Sequence, residues 1–147
     1  VTAAHLAPNE YRMWGNLGEA YHVPGTQEQV ADVANRRAIG LGEAHLEVNP
    51  EDSMVISDIA LYYSRVGNVE KARELDEKAN SRGAGIMYVH YNSALIHVQF
   101  GEVDQALSAL ERAVELSYER EILRVDPALE GLWDNERFQQ LVSNNSS

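Results

Sequence analysis

An internal repeat with a period of about 34 residues constrains the fold of this chain more than any other feature. When the stretch from Ile56 to Ala79 is shifted by one period, it aligns with the stretch that follows it. The matching positions are Ala60 with Ala94, Gly67 with Gly101, Val69 with Val103, Ala72 with Ala106, and Ala79 with Ala113. A fixed period of this length is typical of repeat architectures, in which one unit cannot bury its apolar face alone.

Each copy of the repeat predicts two helices joined by a glycine turn. Gly67 can adopt the left-handed conformation that ends a helix, and Asn68 can cap the helix that follows. Alanines at fixed offsets let two antiparallel helices approach closely. Before the turn, the apolar residues with helical spacing are Ile56, Ile59, Ala60 and Tyr63; after it, the predicted buried stripe is Ala72, Leu75 and Ala79.

A resemblance to a known family follows from the first part of the chain together with this period. Trp14, Leu17, Gly18 and Tyr21 stand in the pattern W-x2-L-G-x2-Y. The chain resembles the tetratricopeptide repeat (TPR) family, whose unit has about 34 residues with small and aromatic residues at set positions. The resemblance implies an all-α fold, an α-solenoid of antiparallel helix pairs in a right-handed superhelix. We expect about seven helices or more, with a capping helix at the C-terminal end.

The register divides the 147-residue chain into repeats within a single domain. Because Pro8 precedes Trp14 by the same interval that separates Pro50 from Ile56, we interpret the first residues as the end of a repeat whose body lies upstream. A start at Val1 instead of methionine likewise favours a fragment or a processed product. The predicted boundaries are 1–8 for this tail, 9–50 for repeat one, 51–84 for repeat two, 85–118 for repeat three, and 119–147 for a C-terminal cap and frayed tail.

Repeat one is longer than the others. The interval from Tyr21 to Tyr63 exceeds the repeat period by about eight residues, which are therefore an insertion. We assign about one of these to a Pro-Gly turn within residues 22–26, and about seven, or two helical turns, to an extended second helix. This helix is predicted to run from about Gln27 to Val48 and to be the longest in the chain.

The C-terminal end predicts a cap that shields the last repeat from water. Asp126 and Pro127 form a helix-start signal. The apolar face after them consists of Leu129, Leu132, Trp133, Phe138, Leu141 and Val142. The ending also resembles the C-terminal end of repeat regions in large bacterial proteins, which often carry an N-terminal kinase, cyclase or winged-helix domain. The matching residues are Tyr118, Ile122, Asp126, Pro127, Leu129, Leu132, Asn135, Arg137, Phe138 and Leu141.

Composition argues against several classes of partner. The net charge is −11, and no lysine or arginine cluster interrupts it, so we expect no nucleic-acid partner, because phosphate binding needs a basic face. No apolar run approaches the roughly 20 residues that span a bilayer, and no signal peptide is visible, so we expect no membrane partner. We expect a cytoplasmic location, although the absence of cysteine fits a reducing cytosol and an exported domain equally.

The sequence offers no recognisable catalytic or metal-binding arrangement. Cysteine is absent, and His90 and His97 share a helix stripe with about 10.5 Å of rise between them, too far for one zinc ion with ligands at about 2 Å. His97 replaces the tyrosine of the two preceding repeats, which favours a packed, hydrogen-bonded side chain. Glu111 is expected on a solvated helix face. We predict no enzyme activity, no cofactor and no metal.

The family resemblance implies a peptide-binding groove on the concave surface, lined by the first helix of each repeat. The lysines with which some family members hold a peptide carboxylate are absent, so that clamp is not expected. The groove positions are Arg12, Gly15, Asn16 and Glu19 in repeat one; Met54, Ser57, Asp58, Leu61 and Arg65 in repeat two; and Tyr88, Tyr91, Asn92, Leu95 and Gln99 in repeat three.

We expect this groove to hold an apolar side chain of a protein or peptide partner. Tyrosines make good anchors because they present rigid apolar area with a polar tip. Arg12 and Arg65 are expected to bond carboxylates or carbonyls of the partner. The predicted floor consists of Tyr88, Tyr91, Asn92, Leu61 and Met54. Tyr91→Ala should weaken binding with little change in stability, and Glu111→Ala on the convex face serves as the neutral control.

Two alternatives to the groove hypothesis stay open from the sequence. In one, the groove is only a solvated surface. In the other, the repeats have a structural role, either spacing an output domain or mediating self-association. A homodimer is possible through the truncated N-terminal end, where residues near Leu6 and Trp14 are expected to be exposed.

Overall fold

The structure is a computed structural model, and it describes residues 10–21 and 28–143. Of these residues 83% are helical and none forms a strand, so the predicted all-α class is confirmed. The described ranges contain eight α-helices and one 3₁₀ helix. The predicted upstream repeat tail, the Pro-Gly turn within 22–26 and the end of the frayed tail lie outside these ranges.

The chain forms two compact units, residues 1–82 and residues 83–147. The helices of the first unit are α1 (Glu10–Tyr21), α2 (Glu28–Val48), α3 (Ser53–Arg65) and α4 (Val69–Arg82). Each packs against its neighbour in the sequence, α1 on α2, α2 on α3 and α3 on α4. With 21 residues, α2 is the longest helix described, in agreement with the predicted extension of repeat one.

Small residues let the helices of the first unit approach closely. A methyl group added at Gly42 of α2 would lie 2.8 Å from two side-chain carbons of Ile59 on α3. One added at Gly18 of α1 would lie 2.6 Å from the side chain of Asn35 on α2. Each glycine therefore stands where two helices leave no room for a larger residue. The alanines with at most 1% exposure in this unit are Ala31, Ala34, Ala38, Ala60, Ala72 and Ala79.

The second unit contains a helical hairpin followed by three short helices. These are α5 (Met87–Gln99), α6 (Val103–Glu115), α7 (Arg120–Val125), the 3₁₀ helix (Pro127–Leu132) and α8 (Glu136–Ser143). Helix α5 packs against α6 and the 3₁₀ helix, and α8 packs against α6 and α7. The large side chains at its core are Ile96, Leu107, Leu110, Leu123, Leu129 and Phe138, all at most 2% exposed.

The hairpins α3–α4 and α5–α6 share one turn geometry. Helices α3 and α5 begin and end one repeat period apart. The predicted left-handed glycines are observed, with φ of 85° at Gly67 and 74° at Gly101. In both turns the amide of the residue after this glycine donates to a carbonyl of the preceding helix, Asn68 to Tyr63 at 3.0 Å and Glu102 to His97 at 2.8 Å.

The segment predicted to start a helix at Asp126 begins as a 3₁₀ helix. Asp126 Oδ1 accepts a hydrogen bond from the amide of Ala128 at 3.0 Å. Asn135 Oδ1 then accepts from the amide of Phe138 at 3.0 Å and so caps α8. Of the predicted apolar face, Leu129, Leu132, Phe138 and Val142 are buried, Leu141 is partly buried and Trp133 is 37% exposed.

Two arginines of α7 bind the end of α8. Arg120 Nε donates to the carbonyl of Leu141 at 3.0 Å, and Arg124 donates to the carbonyl of Val142. The last carbonyls of a helix have no partner within it and carry partial negative charge. Arginine is well suited to this position because it satisfies the acceptors and the helix dipole together.

Candidate functional site

The predicted groove residues differ widely in exposure. Asn16, Glu19, Tyr88 and Gln99 are exposed, and Arg12, Met54, Arg65 and Tyr91 are partly buried. Asp58, Leu61, Asn92 and Leu95 are buried, at 6–8% exposure, and Gly15 and Ser57 are buried as well. The expectation that all of the groove positions face solvent and not the core is therefore wrong for these six. Every residue of α3 from Val55 to Tyr62 is buried, because this helix is covered on all sides instead of along one stripe.

A buried carboxylate organises the polar side chains of the first unit. Asp58 Oδ2 accepts hydrogen bonds from Tyr11 Oη at 2.8 Å and from Arg12 Nε at 3.2 Å. Burial, and then the charge of Asp58, raises the pKa of the Tyr11 phenol far above its ordinary value. The phenol is therefore a fixed donor, and the carboxylate offsets the charge of Arg12.

Arg65 is also engaged within the chain. Its side chain is only 9% exposed and lies 3.6 Å from a carboxylate oxygen of Glu19. Its guanidinium donates to the carbonyl of Gly15 at 3.3 Å and to Asn35 Oδ1 at 3.4 Å. Arg12 and Arg65 thus each have a carboxylate in the chain, and an acidic group of a partner would have to compete with it.

An open cavity of about 660 Å³ lies beside Arg65 in the first unit. Its described lining residues are Glu28, Gln29, Asp32, Val33, Asn35 and Arg65. Asp32 is paired with Arg36 Nε at 2.8 Å. These lining residues carry both signs of charge, and none of them is a nucleophile beside a base, the arrangement that covalent catalysis uses.

Three tyrosines form a cluster in the second unit. The rings of Tyr91 and Tyr118 are stacked, with centroids 5.1 Å apart and an angle of 13°. Tyr88 meets Tyr118 edge-on at 5.7 Å and is 49% exposed. Tyr91 Oη donates to Asp126 Oδ2. Burial, and then the charge of Asp126, raises the pKa of Tyr118 to about 12. We call Tyr88, Tyr91, Tyr118 and Asp126 the tyrosine cluster.

The sequence placed two members of this cluster in the groove and missed the other two as site residues. Tyr118 and Asp126 were recognised only as parts of the C-terminal motif. Tyr91 lies in α5, whereas Tyr118 follows the end of α6, so no helical spacing relates the two residues. The one sequence signal that joins Tyr118 to Asp126 is that motif, so it could have pointed to their common location.

The histidines described in the structure are hydrogen-bonded within the chain. His97 Nδ1 lies 3.0 Å from Glu102 Oε1, in agreement with the predicted hydrogen-bonded role. His90 Nε2 lies 2.7 Å from the carbonyl of Ala84, and His45 Nε2 lies 3.2 Å from Asp52 Oδ2. Among residues 10–21 and 28–143, no group of three or more metal-ligating side chains is arranged to hold an ion.

Glu111 lies on a partly exposed face of α6, with 39% of its side chain exposed, and its carboxylate is bound by Arg137. Both of its oxygens accept from Arg137, Oε2 from Nε at 3.0 Å and Oε1 from a terminal nitrogen at 2.7 Å. This bidentate pair lowers the pKa of Glu111 and joins α6 to α8. Glu111→Ala is therefore unsuitable as a neutral control.

Comparison of the sequence with protein-family models finds no match, and comparison with curated proteins finds none either. In the part of the chain that the structure describes, no helix combines the length and the hydropathy needed to cross a membrane. The internal repeat and the geometry of the two units are therefore the observations on which a functional proposal rests.

Proposed function

We propose that this chain is a TPR-type interaction module that binds a peptide or helix segment of a protein partner and catalyses no reaction. The proposal includes a right-handed superhelix with a concave groove. It is supported by the regular offset between α3 and α5, the positive φ of Gly67 and Gly101, and the buried alanines between paired helices. The likeness of its C-terminal end to bacterial regulatory proteins favours a cytoplasmic bacterial protein.

The exposed ring of Tyr88 is the observation that carries the binding proposal. Tyr88 is 49% exposed, yet its ring is fixed by the edge of Tyr118. Tyr118 is in turn stacked on Tyr91, which Asp126 holds by a hydrogen bond. A ring that is already ordered loses little conformational entropy when a partner covers it. Tyr88 is therefore the binding anchor, whereas Tyr91 is a supporting residue.

Charge defines the chemistry of the partner segment. The chain carries −11, and the guanidinium groups of Arg12 and Arg65 already face Asp58 and Glu19. An acidic segment would meet repulsion from the chain and competition for these two arginines. A segment with an apolar or aromatic side chain and a neighbouring basic residue would be steered toward the surface.

A displayed peptide library tests this function directly. Peptides selected on the wild-type chain should contain an apolar residue beside lysine or arginine, and Tyr88→Ala should bind them about thirtyfold more weakly. Gln105→Ala, at an exposed position of α6, is the matched control and should bind normally. Selected peptides that bind Tyr88→Ala as well as wild type would contradict the proposal.

Self-association is the second candidate function. It is favoured by two exposed apolar residues of α1, Met13 at 68% and Leu17 at 39% exposure. Under this alternative the chain has no dedicated peptide ligand and forms dimers through this end. Sedimentation measured over a range of concentrations distinguishes the two, because only the second candidate predicts a dimer that Met13→Glu abolishes.

A further inference from the structure

Arginines lie over aromatic rings of the first unit. The guanidinium carbon of Arg12 lies 5.2 Å from the ring centroid of Tyr11. That of Arg65 lies 5.7 Å from the ring centroid of Tyr62. A cation in this position is attracted by the negative face of the ring. Asp58 completes the first of these sites, because its Oδ2 accepts from both the Tyr11 phenol and Arg12 Nε. The complete site therefore consists of a tyrosine, a carboxylate and a guanidinium.

The tyrosine cluster contains two of these three groups. Tyr91 Oη donates to Asp126 Oδ2, which is the same bond that Tyr11 makes to the carboxylate of the first unit. Asp126 Oδ1 accepts from the amide of Ala128, and each oxygen of this partly exposed carboxylate can accept a further hydrogen bond. In the same cluster the ring of Tyr88 is 49% exposed. The cluster thus offers a cation both a ring face and a carboxylate.

The arginines of the second unit are engaged elsewhere. Residues 83–147 contain four arginines and no lysine, and all four arginines lie in the described ranges. None of these four lies over the ring of Tyr88 or Tyr118 or pairs with Asp126. Each binds a carboxylate or a carbonyl at the end of a helix: Arg112 binds Glu115, Arg120 binds Leu141, Arg124 binds Val142, and Arg137 binds Glu111.

The residues outside the described ranges do not supply this cation either. Residues 1–9, 22–27 and 144–147 contain no lysine and no arginine. Because half of the Tyr88 side chain is in water, the position over its ring is accessible to a group from another molecule. The composition of the chain and the exposure of Tyr88 therefore both favour a cation that a partner supplies.

We propose that the tyrosine cluster binds the guanidinium group of an arginine in the partner segment, over the exposed ring of Tyr88 and in the field of Asp126. This inference rests on the proposed function, because the arginine belongs to the segment that the module binds. Arginine suits the site better than lysine, since its planar guanidinium is more weakly hydrated and stacks on aromatic faces. The partner segment is thereby narrowed from any basic segment to one with arginine beside its apolar residue.

A blocked tripeptide, acetyl-Leu-Arg-Leu-amide, is the probe for this site. Two counterparts replace its arginine, one by citrulline, which keeps the shape without the charge, and one by lysine, which keeps the charge without the plane. We expect the arginine peptide to bind the 147-residue chain with a Kd in the millimolar range. Both counterparts should bind at least about threefold more weakly. Proton NMR measures the affinities, and the ring face of Tyr88 should shift the Cδ protons of the bound arginine upfield.

Variants of the chain locate the peptide. Tyr88→Leu removes the ring but keeps apolar surface, so it should abolish the upfield shift and weaken the arginine peptide at least about threefold. Asp126→Asn should weaken the arginine peptide and leave the citrulline peptide unchanged, because only the arginine peptide carries a charge at this position. An effect of Asp126→Asn on packing alone would weaken both peptides equally. Asp104→Asn removes the same charge from an exposed position at the end of α6 far from Tyr118, and it should bind like wild type.

Three results would overturn the proposal. The first is a citrulline or lysine peptide that binds as tightly as the arginine peptide. The second is equal weakening of the arginine peptide by Asp104→Asn and Asp126→Asn, which would mean general attraction to an acidic chain. The third is an unchanged affinity and upfield shift in Tyr88→Leu. The first two leave the proposed function standing, because Tyr88 can anchor an apolar side chain without an arginine. The proposed function fails separately, if the displayed library yields no peptide that depends on Tyr88.

Discussion

The hairpins α3–α4 and α5–α6 have the same backbone and different polar chemistry. Both turns contain a glycine with positive φ followed by an amide that bonds back to the preceding helix. In the first, the side chain of Asn68 also caps α4 through the amide of Lys71 at 3.2 Å. In the second, Glu102 makes no such cap and lies against His97 instead. The glycine and the backbone bonds are thus sufficient for the turn, and the polar residues can differ.

The first helices of these hairpins differ even more. Helix α3 supplies Asp58 to a charged network with Tyr11 and Arg12. Helix α5 supplies Tyr88 and Tyr91 to the tyrosine cluster. A repeated frame therefore presents two unrelated surfaces, and only the second leaves a large ring exposed. Binding properties should follow the local side chains, whereas stability should follow the shared frame.

The largest expected effect tests the shared frame. Ala72 and Ala106 are both 0% exposed and occupy equivalent positions of the two hairpins. Ala72→Leu and Ala106→Leu should each lower the free energy of unfolding by about 3 kcal/mol, because neither hairpin has room for three more carbons. Urea denaturation measures both. Val69→Leu and Val103→Leu, at positions 42% and 40% exposed, should change it by less than about 0.5 kcal/mol. A large loss of stability in only one of the two leucine variants would show that the two hairpins are not packed equivalently.

The second prediction separates support from binding in the tyrosine cluster. Tyr91→Ala should lower the free energy of unfolding by about 2 kcal/mol, because it removes a stacked ring and the phenol that donates to Asp126 Oδ2. From the sequence alone, Tyr91→Ala was expected to leave the stability of the chain almost unchanged; the contacts of Tyr91 predict a clear loss instead. Tyr88→Ala should cost less than about 1 kcal/mol, since half of that side chain is already in water. Equal losses in thermal melting would show that Tyr88 is structural too.

The third prediction compares the glycines of the two turns with a glycine inside α2, and the expected changes in stability have opposite signs. Gly67→Ala and Gly101→Ala should each destabilise the chain by about 1 kcal/mol, because a Cβ is strained at positive φ. Gly40 lies within α2 with no neighbour near its missing Cβ. Gly40→Ala should therefore stabilise the chain by about 0.5 to 1 kcal/mol through helix propensity. Circular dichroism melts of the three variants suffice, and a destabilising Gly40→Ala would mean that α2 needs its glycine.

The smallest expected effect compares two phenols at high pH. The pKa is raised to about 12 for Tyr63, first by burial and then by its hydrogen bond to Glu43, and to about 12 for Tyr118, by burial and Asp126. A raised folded pKa favours the neutral phenol, so its contribution is complete below about pH 10 and is lost as the pH rises toward 12. Partial exposure of both rings keeps the contribution small.

Absorbance titration of tyrosinate measures these two groups. Glu43→Gln should lower the pKa of Tyr63 alone, and Asp126→Asn that of Tyr118 alone. Titration in urea, where all tyrosines ionise near their ordinary value of about 10, gives the reference. If Asp126→Asn leaves the Tyr118 titration unchanged, burial accounts for the whole shift.

The sequence by itself determined the helices, because their signals are local. Apolar spacing, the glycine at each turn and the asparagine at position 68 act within a few residues of the chain. Helix α2 begins one residue after its predicted start and ends at its predicted residue, and α4 and α6 each begin two residues after a turn glycine. The repeat period also predicted that α3 and α5 are equivalent, because residues one period apart in the sequence occupy equivalent positions in the structure of a repeat protein.

Only the tertiary structure decided which side chains are available to a partner. The register predicts that Asp58, Leu61, Asn92 and Leu95 face a groove, but all four are buried, because α3 and α5 are covered on several sides, which no pattern along one helix can encode. The partners of Tyr91, Arg65 and Glu111 are 35, 50 and 26 residues away in the chain. Such pairings depend on how whole helices are stacked, and this stacking sets burial and charge at each position.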